Sequence, residues 1–265
     1  MKKVLMSGNE AIARGVYEAG VRFAAAYPGT PSTEIMEEFA GYEGVYAEWT
    51  PNEKVAVEVA IGAALSGAKA LAVMKHVGVN VAADPIFTVS YTGIEGALVI
   101  VSADDPSMHS SQNEQDNRNY AKFAKIPMLE PSDPQEAKDF VGLAFQISSL
   151  FDTPVFFRTT TRVSHSKSVV TLSDIQTPED KTGLTRNALK YGSHNRSDKA
   201  CGSGKAPEGA QGVRGNLSRK QNGNQQHTCR HHHSRHALQL RPRGVSGFLL
   251  SETGHGLSSS GKDDP

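Results

Sequence analysis

Short apolar runs alternate with helix-forming segments along the first 170 residues, and this alternation restricts the fold more than any other feature. The clearest run is Ala97–Ser102 (ALVIVS), which has the length and composition of a buried strand. Similar runs occupy residues 3–7, 21–27, 45–49, 69–74 and 153–158. Repetition of strand and helix is the unit of a parallel α/β sheet. We therefore predict an α/β fold with a mainly parallel sheet and helices on both faces.

Helical spacing of apolar residues predicts the segments that cover this sheet, at residues 10–19, 35–40, 53–67, 78–91 and 134–150. The third of these contains a stripe of small residues, namely Ala56, Ala60, Ala63 and Ala64. Glu53 falls in its first turn, where the helix dipole favours a carboxylate. From position alone, Glu53 is either a simple first-turn acid or a functional group. Glu58 lies about 140° further round the helix and could not replace it.

Four predicted strands end in polar, turn-forming segments, at residues 28–34, 50–53, 75–80 and 104–119. The carboxyl ends of parallel strands meet at one sheet edge, where ligands bind in open α/β sheets. His76 and His109 lie in two of these segments and are either acid–base groups or structural residues. The polar run Ser110–Arg118 is either a ligand or subunit contact or a solvated helix start. The sequence does not decide between these alternatives for the histidines or for the polar run.

Composition excludes several classes of protein. The formal net charge is zero, and the chain lacks the glycine-rich signatures of nucleotide-binding loops. Its two cysteines are too few for a disulfide scaffold or an iron–sulfur cluster. No apolar run is long enough to cross a membrane, and the N-terminus does not resemble a signal peptide. We expect a cytoplasmic protein that binds neither nucleic acid nor membranes.

The character of the chain changes after about residue 170. From residue 191 onward there is no Ile, Met or Trp, and polar residues and Gly dominate, so the segment cannot bury enough apolar surface to fold. We predict a domain at residues 1–170, a linker at 171–190 and a low-complexity, disordered tail at 191–265.

Four segments of the predicted domain carry a resemblance to a known family. They are YPGTPSTEI (27–35), NEKVAVEVAIGAALSGAKA (52–70), KHVGVNVAADP (75–85) and DDPSMHSSQNEQDNR (104–118). Together, and in this order, they resemble the large (alpha) subunit of indolepyruvate ferredoxin oxidoreductase. The resemblance covers about residues 1–170 and implies the pyrimidine-binding domain of a thiamine diphosphate enzyme.

The resemblance also implies an activity and partners. The family oxidatively decarboxylates aryl 2-oxo acids such as indolepyruvate, forms aryl-acetyl-CoA and passes electrons to ferredoxin. A smaller partner subunit and an oligomeric assembly are implied with it. The alternatives are a subunit of a non-oxidative thiamine diphosphate 2-oxo acid decarboxylase and a non-catalytic assembly domain.

Two residues receive roles from the resemblance. Glu53 matches the glutamate that hydrogen-bonds N1′ of the aminopyrimidine ring, which makes it both catalytic and cofactor-binding. Thr30, in the YPGTP turn, matches a threonine that contacts the substrate carboxylate. Ala56 and Ala60 would then permit close approach of the cofactor ring or of a second domain. No residue of this chain is assigned to a metal.

Parts of a complete enzyme of this family do not occur in the sequence. A Gly-Asp-Gly…Asn segment for diphosphate and Mg²⁺ is absent, as is a cysteine-rich segment for 4Fe–4S clusters. We expect these groups only in the rest of the enzyme, and we expect no turnover by this chain alone. The residues His231–His236 fit codons read out of frame, so we interpret a frameshift near Tyr191 as the origin of the tail.

Overall fold

A parallel sheet of six strands forms the centre of the protein. The computed structural model describes residues 2–177 and Gly183. The strands of the sheet lie in the order β3-β2-β4-β5-β7-β6. They are β2 (Phe23–Ala26), β3 (Tyr46–Trp49), β4 (Lys69–Lys75), β5 (Ala97–Asp104), β6 (Met128–Leu129) and β7 (Val155–Thr160). A separate antiparallel pair consists of β1 (Lys3–Ser7) and β8 (Lys167–Thr171).

Helices cover both faces of the sheet. They are α1 (Gly8–Glu18), α2 (Thr33–Ala40), α3 (Glu53–Leu65), α4 (Gly78–Val81), α5 (Ala83–Thr92), α6 (Arg118–Ala124), α7 (Pro134–Phe151) and α8 (Thr161–His165). Side chains of α1, α2 and α7 share one core with the sheet, and side chains of α3 to α6 share the other. The predicted parallel α/β fold with helices on both faces is therefore confirmed.

Alternation along β5 explains why both cores form. All eight residues of this strand are buried. Val99 and Val101 point into the core with α7, whereas Leu98 and Ile100 point into the core with α3 and α5. A strand that is buried at every position and apolar at nearly all of them is typical of the middle of a covered parallel sheet.

The structure differs from the sequence-based element boundaries in several places. The helix predicted at residues 78–91 is two helices, α4 and α5, which meet at Ala82. Pro85 explains the break, because proline is tolerated in the first turn of a helix but not in its interior. A further strand that the sequence did not indicate, β8, follows the strand predicted at 153–158 and buries Val170 against Met6 and Ala11.

Residues 171–177, the start of the predicted linker, continue along the domain. Thr171 ends β8, and the Gln176 amide donates a hydrogen bond to the Glu18 carbonyl (2.9 Å). Apart from Gly183, the rest of that linker and the predicted tail with its histidine run lie outside the described residues. Among the helices that are described, none is long and apolar enough to cross a membrane.

Candidate active site

The direction of the chain across the sheet reverses between β2 and β4. From β2 the chain reaches β3 on one side by way of α2, and from β3 it returns past β2 to β4 by way of α3. Because α2 and α3 pack on opposite faces of the sheet, the two connections diverge and leave a crevice at the carboxyl ends of β2 and β4. Such a reversal is the usual ligand site of an open α/β sheet. It defines the candidate site here.

Glu53 stands at the edge of this crevice as the first residue of α3. The Asn52 side chain caps the helix by accepting a hydrogen bond from the Val55 amide (3.0 Å). Thr50 ties the preceding turn to the end of β2, because its hydroxyl donates to the Ala26 carbonyl (3.1 Å). Glu53 is therefore held by a short turn and a capped helix, both anchored on the sheet.

Glu53 is buried as a residue, with only 7% of it exposed, and its carboxylate oxygens keep some access to solvent. Within residues 2–177 it accepts no hydrogen bond and forms no ion pair. A carboxyl group that is largely shielded from water and has no protein partner is suited to a ligand that shares a hydrogen bond with it. On this ground the residues present fit the aminopyrimidine of thiamine diphosphate.

Gly78, the first residue of α4, lies directly against Glu53. A Cβ atom placed on Gly78 would come within 2.5 Å of the Glu53 Cγ and 2.6 Å of its Oε1. The absence of a side chain at residue 78 thus leaves the room that the carboxylate occupies. Sequence reasoning missed this residue, because nothing in KHVGVN indicates which side chain its glycine meets.

Thr30 lies in the loop after β2, on the β2 side of the same reversal. The loop is ordered by local contacts: the Gly29 amide donates to the Thr33 hydroxyl (2.9 Å), and the Asn9 amide group donates to the Pro31 carbonyl (2.8 Å). Gly29 packs against the side chain of Lys75, the last residue of β4. Thr30 itself is exposed, and no hydrogen bond joins it to Glu53 in the described part of the chain.

The two histidines differ in environment. His109 is exposed, whereas His76 is completely buried directly after β4. The Nε2 of His76 lies 3.1 Å from the Asn113 carbonyl oxygen and 3.2 Å from its side-chain oxygen, so Nε2 carries a proton and donates it. Its Nδ1 has no partner among the described residues. These contacts give His76 a structural role in joining β4 to the loop that follows β5.

The polar run after β5 is anchored in the protein rather than solvated along its whole length. Asn117 is buried, and its side chain donates to the His76 carbonyl (3.1 Å) and to the Ser102 hydroxyl (2.6 Å). Its backbone amide donates to Asp104 (3.1 Å). Arg118, the last residue of the run, begins α6. The run is therefore a loop fixed to the sheet edge that leads into a helix.

Asp104 and Arg158 form a buried ion pair behind this loop. The Nε of Arg158 donates to the Asp104 carboxylate at 2.7 Å, and the Arg158 guanidinium also contacts Glu130. Arg158 lies in β7, where the sequence TPVFFR places a charge at the end of an apolar run. That pattern is a usable signal, because a charged residue in a buried strand requires a partner.

Asp105 organises the tip of the loop after β5. Its carboxylate accepts hydrogen bonds from the Ser110 amide (2.8 Å) and the Thr161 hydroxyl (2.8 Å). Burial by itself raises the pKa of Asp105, but these bonds and those from Ser111 and His109 outweigh it and hold the pKa at about 2. Asp105 is therefore ionised at neutral pH and acts as a fixed acceptor.

The structure corrects the expected role of the alanine stripe on α3. Ala56 and Ala60 are completely buried within this chain, and Ala60 packs in the core that α3 shares with the sheet. Small residues are needed there because α3 passes across β2 on its way to β4. The two alanines are thus not available to a cofactor ring or a second domain.

Within the described ranges, no group of three or more His, Cys, Asp and Glu side chains could hold a metal ion. The site consequently consists of the carboxylate of a buried residue at a topological reversal, in contact with Gly78. It can accept a hydrogen bond from a ligand and exchange a proton with it.

Comparison with known proteins identifies the family. The profile described as "Pyruvate flavodoxin/ferredoxin oxidoreductase, thiamine diP-bdg" matches residues 14–232. The chain therefore belongs to this family of thiamine diphosphate-binding domains.

Individual relatives support the same assignment. The chain is 55% identical over 185 residues to the indolepyruvate oxidoreductase subunit IorA of Archaeoglobus fulgidus, covering 67% of this chain and 30% of that protein. It is 32% identical over 186 residues to the 2-oxoglutarate synthase subunit KorA of Methanothermobacter marburgensis, covering 65% and 48% of the two chains. The resemblance to indolepyruvate ferredoxin oxidoreductases is confirmed by these relatives. The chain spans less than a third of the length of the IorA relative.

A solved structure shares the fold. A 2-oxoglutarate:ferredoxin oxidoreductase from Magnetococcus marinus, with 2-oxoglutarate, coenzyme A and succinyl-CoA bound, aligns with a TM-score of 0.58 at 17% identity. The alignment covers 73% of this chain and 38% of that one. It supports the α/β architecture described above.

Proposed function

We propose that this chain supplies the pyrimidine side of the thiamine diphosphate site in a 2-oxo acid:ferredoxin oxidoreductase. The observation that carries the proposal is Glu53, a buried residue at the reversal of the sheet whose carboxylate has no hydrogen-bond or ion-pair partner among the described residues. Family membership supplies the identity of the ligand.

The chemistry at the site is divided between cofactor and protein. When bound, thiamine diphosphate would supply a thiazolium that serves as the electron sink for decarboxylation of a 2-oxo acid. Glu53 would share one proton with N1′ of the aminopyrimidine: the neutral acid donates to the unprotonated ring nitrogen, and the carboxylate accepts from N1′–H once the proton has moved. The burial of Glu53 strengthens this interaction, because a carboxylate shielded from water interacts more strongly with a nearby donor. The capped start of α3 holds the carboxylate in place.

The substrate is an aryl 2-oxo acid, with coenzyme A and ferredoxin as co-substrates. The names of the relatives at 52–55% identity, all indolepyruvate oxidoreductase subunits, support this choice over 2-oxoglutarate, the compound in the names of relatives at 32% identity. Thr30 donates its hydroxyl to the substrate carboxylate; its exposure on the loop beside the crevice supports that role.

The remaining groups belong to other parts of the enzyme. A diphosphate- and Mg²⁺-binding domain completes the cofactor site, and 4Fe–4S clusters carry electrons to ferredoxin. The relatives' designation as subunits supports a smaller partner chain and an oligomeric assembly.

The test is Glu53→Gln in the full-length enzyme assembled with its partner subunit. Removing the proton-exchanging group lowers turnover of indolepyruvate with coenzyme A and ferredoxin by about 10²- to 10⁴-fold, the usual contribution of a positioned acid–base group. Glu58→Gln is the matched control, since Glu58 lies on the same helix with its side chain 49% exposed. A loss of turnover of about twofold or less in Glu53→Gln is far smaller than expected for an acid–base group, and it would reject the role assigned to Glu53.

A further inference from the structure

Gly78 makes a contact with Glu53 that neither the family membership nor the proposed chemistry assigns. We propose that Gly78 is a positioning residue whose missing side chain fixes the orientation of the Glu53 carboxylate. The inference rests on the proposed function, because it concerns the same carboxylate, but it can fail independently of it.

The geometry shows that the contact is with the side chain of Glu53. A Cβ on Gly78 would lie 2.5 Å from Cγ, 2.6 Å from Oε1 and 2.8 Å from Cδ of Glu53, and these are its three nearest atoms. Non-bonded carbon atoms are most stable at about 3.5–4.0 Å, so the two groups cannot coexist in this arrangement.

The backbone conformation does not explain the glycine. Gly78 lies in α4 and has no positive φ, unlike Gly20, Gly44, Gly67 and Gly93. An L-residue can adopt a helical conformation at residue 78 without strain. The requirement for glycine is therefore one of space beside Glu53.

The backbone near Gly78 cannot readily move away. The amide of His76 donates to the Ala103 carbonyl (3.0 Å), and the His76 carbonyl accepts from Gln115 and Asn117 (3.1 Å each). Val79, the next residue of α4, is completely buried in the core. The backbone is thus fixed on both sides of Gly78, at His76 and at Val79.

The start of α3 is equally constrained, since Asn52 caps it and Ala56 is buried. With both backbones held, a methyl group at residue 78 must rotate the Glu53 side chain out of its present orientation. The carboxylate then no longer meets the cofactor correctly, and a displacement of about 1 Å at a catalytic group can lower turnover by about 100-fold.

The experiment is a double-mutant cycle in the full-length assembled enzyme, with Glu53→Ala, Gly78→Ala and the double variant. Thermal unfolding is measured without cofactor, and thiamine diphosphate affinity and turnover are measured on the same preparations. Gly142→Ala in α7, where an added Cβ meets nothing within 4 Å, is the control for a helical glycine on the opposite face of the sheet.

We expect the effect of Gly78→Ala on the unfolding midpoint to depend on whether residue 53 is Glu or Ala. When Glu53 is present, Gly78→Ala lowers the unfolding midpoint. In the Glu53→Ala background the clashing side chain is absent, so Gly78→Ala raises the midpoint or leaves it unchanged. In the Glu53 background, Gly78→Ala also weakens cofactor affinity and lowers turnover by about 100-fold, as expected for a displaced group. Gly142→Ala changes neither cofactor affinity nor turnover.

Several outcomes would overturn the inference. If Gly78→Ala lowers the midpoint equally in both backgrounds, the glycine is needed for the local fold and does not position Glu53. If Gly78→Ala fails to fold, the double variant Glu53→Ala/Gly78→Ala decides between the two explanations. A double variant that also fails to fold rejects the inference that Gly78 positions Glu53, and a double variant that folds supports it. If Glu53→Gln is inactive but Gly78→Ala keeps wild-type affinity and turnover, positioning is wrong and the proposed function stands. Normal turnover of Glu53→Gln rejects the proposed function itself, and the positioning inference with it.

Discussion

Replacing Arg158 with Met should cost the protein a large part of its stability. Arg158 donates to Asp104 at 2.7 Å, and Asp104 is only 1% exposed, so the variant leaves a buried carboxylate without its counter-ion. Breaking a buried pair in this way costs about 3–5 kcal/mol. The Ser102 hydroxyl and the Asn117 amide still donate to Asp104, which argues for the middle of that range, about 4 kcal/mol.

A domain of this size unfolds about 2–4 °C lower for each kcal/mol lost, so the midpoint should fall by about 8–16 °C. The assay is urea and thermal denaturation followed by circular dichroism. The double variant Asp104→Asn/Arg158→Met removes both charges and leaves an acceptor for Ser102 and Asn117. It should therefore cost only about 1–2 kcal/mol. A loss below about 1 kcal/mol in Arg158→Met, or a double variant no more stable than that single one, would refute the reasoning.

Two further predictions concern the borders of the site. The pKa of Asp105 lies at about 2 in the folded protein against 3.8 ordinarily, so its contribution to stability is complete above about pH 5 and is lost as the pH falls towards 2. Between pH 6 and pH 3 the wild type should lose about 1 kcal/mol more than Asp105→Asn in urea denaturation, and parallel losses would contradict this. Asn52→Ala removes the cap of α3 and should cost about 1 kcal/mol, while Asn52→Asp, which keeps an acceptor, should cost less; equal losses in the two would show that the cap does not hold the helix.

Sequence reasoning was strongest where local pattern and burial agree. β5 is apolar at nearly every position, so its place inside a covered parallel sheet followed from composition alone. The turn before α3 was predicted equally well, since Asn52 and Glu53 are ordinary residues for a helix start. The position of Glu53 at a strand end then placed it at the ligand-binding edge of the sheet.

Contacts between distant segments could not be predicted. Gly78 meets Glu53 only because α4 packs beside the start of α3, and no local pattern records that arrangement. The alanine stripe of α3 led to a wrong prediction. Its small residues indicated close packing, but they pack within this chain, against its own sheet, and not against a cofactor or a second domain. A helix shows that it packs closely, and only the three-dimensional fold shows against what.

The most direct test of the central claim is the rate of proton–deuterium exchange at C2 of thiamine diphosphate bound to the full-length enzyme. This rate reports how effectively the protein promotes removal of that proton, before any substrate enters. In Glu53→Gln it should fall by about 10²-fold or more while the cofactor stays bound and the unfolding midpoint is unchanged, and in Glu58→Gln it should equal that of wild type. An exchange rate in Glu53→Gln equal to that of wild type would contradict the account.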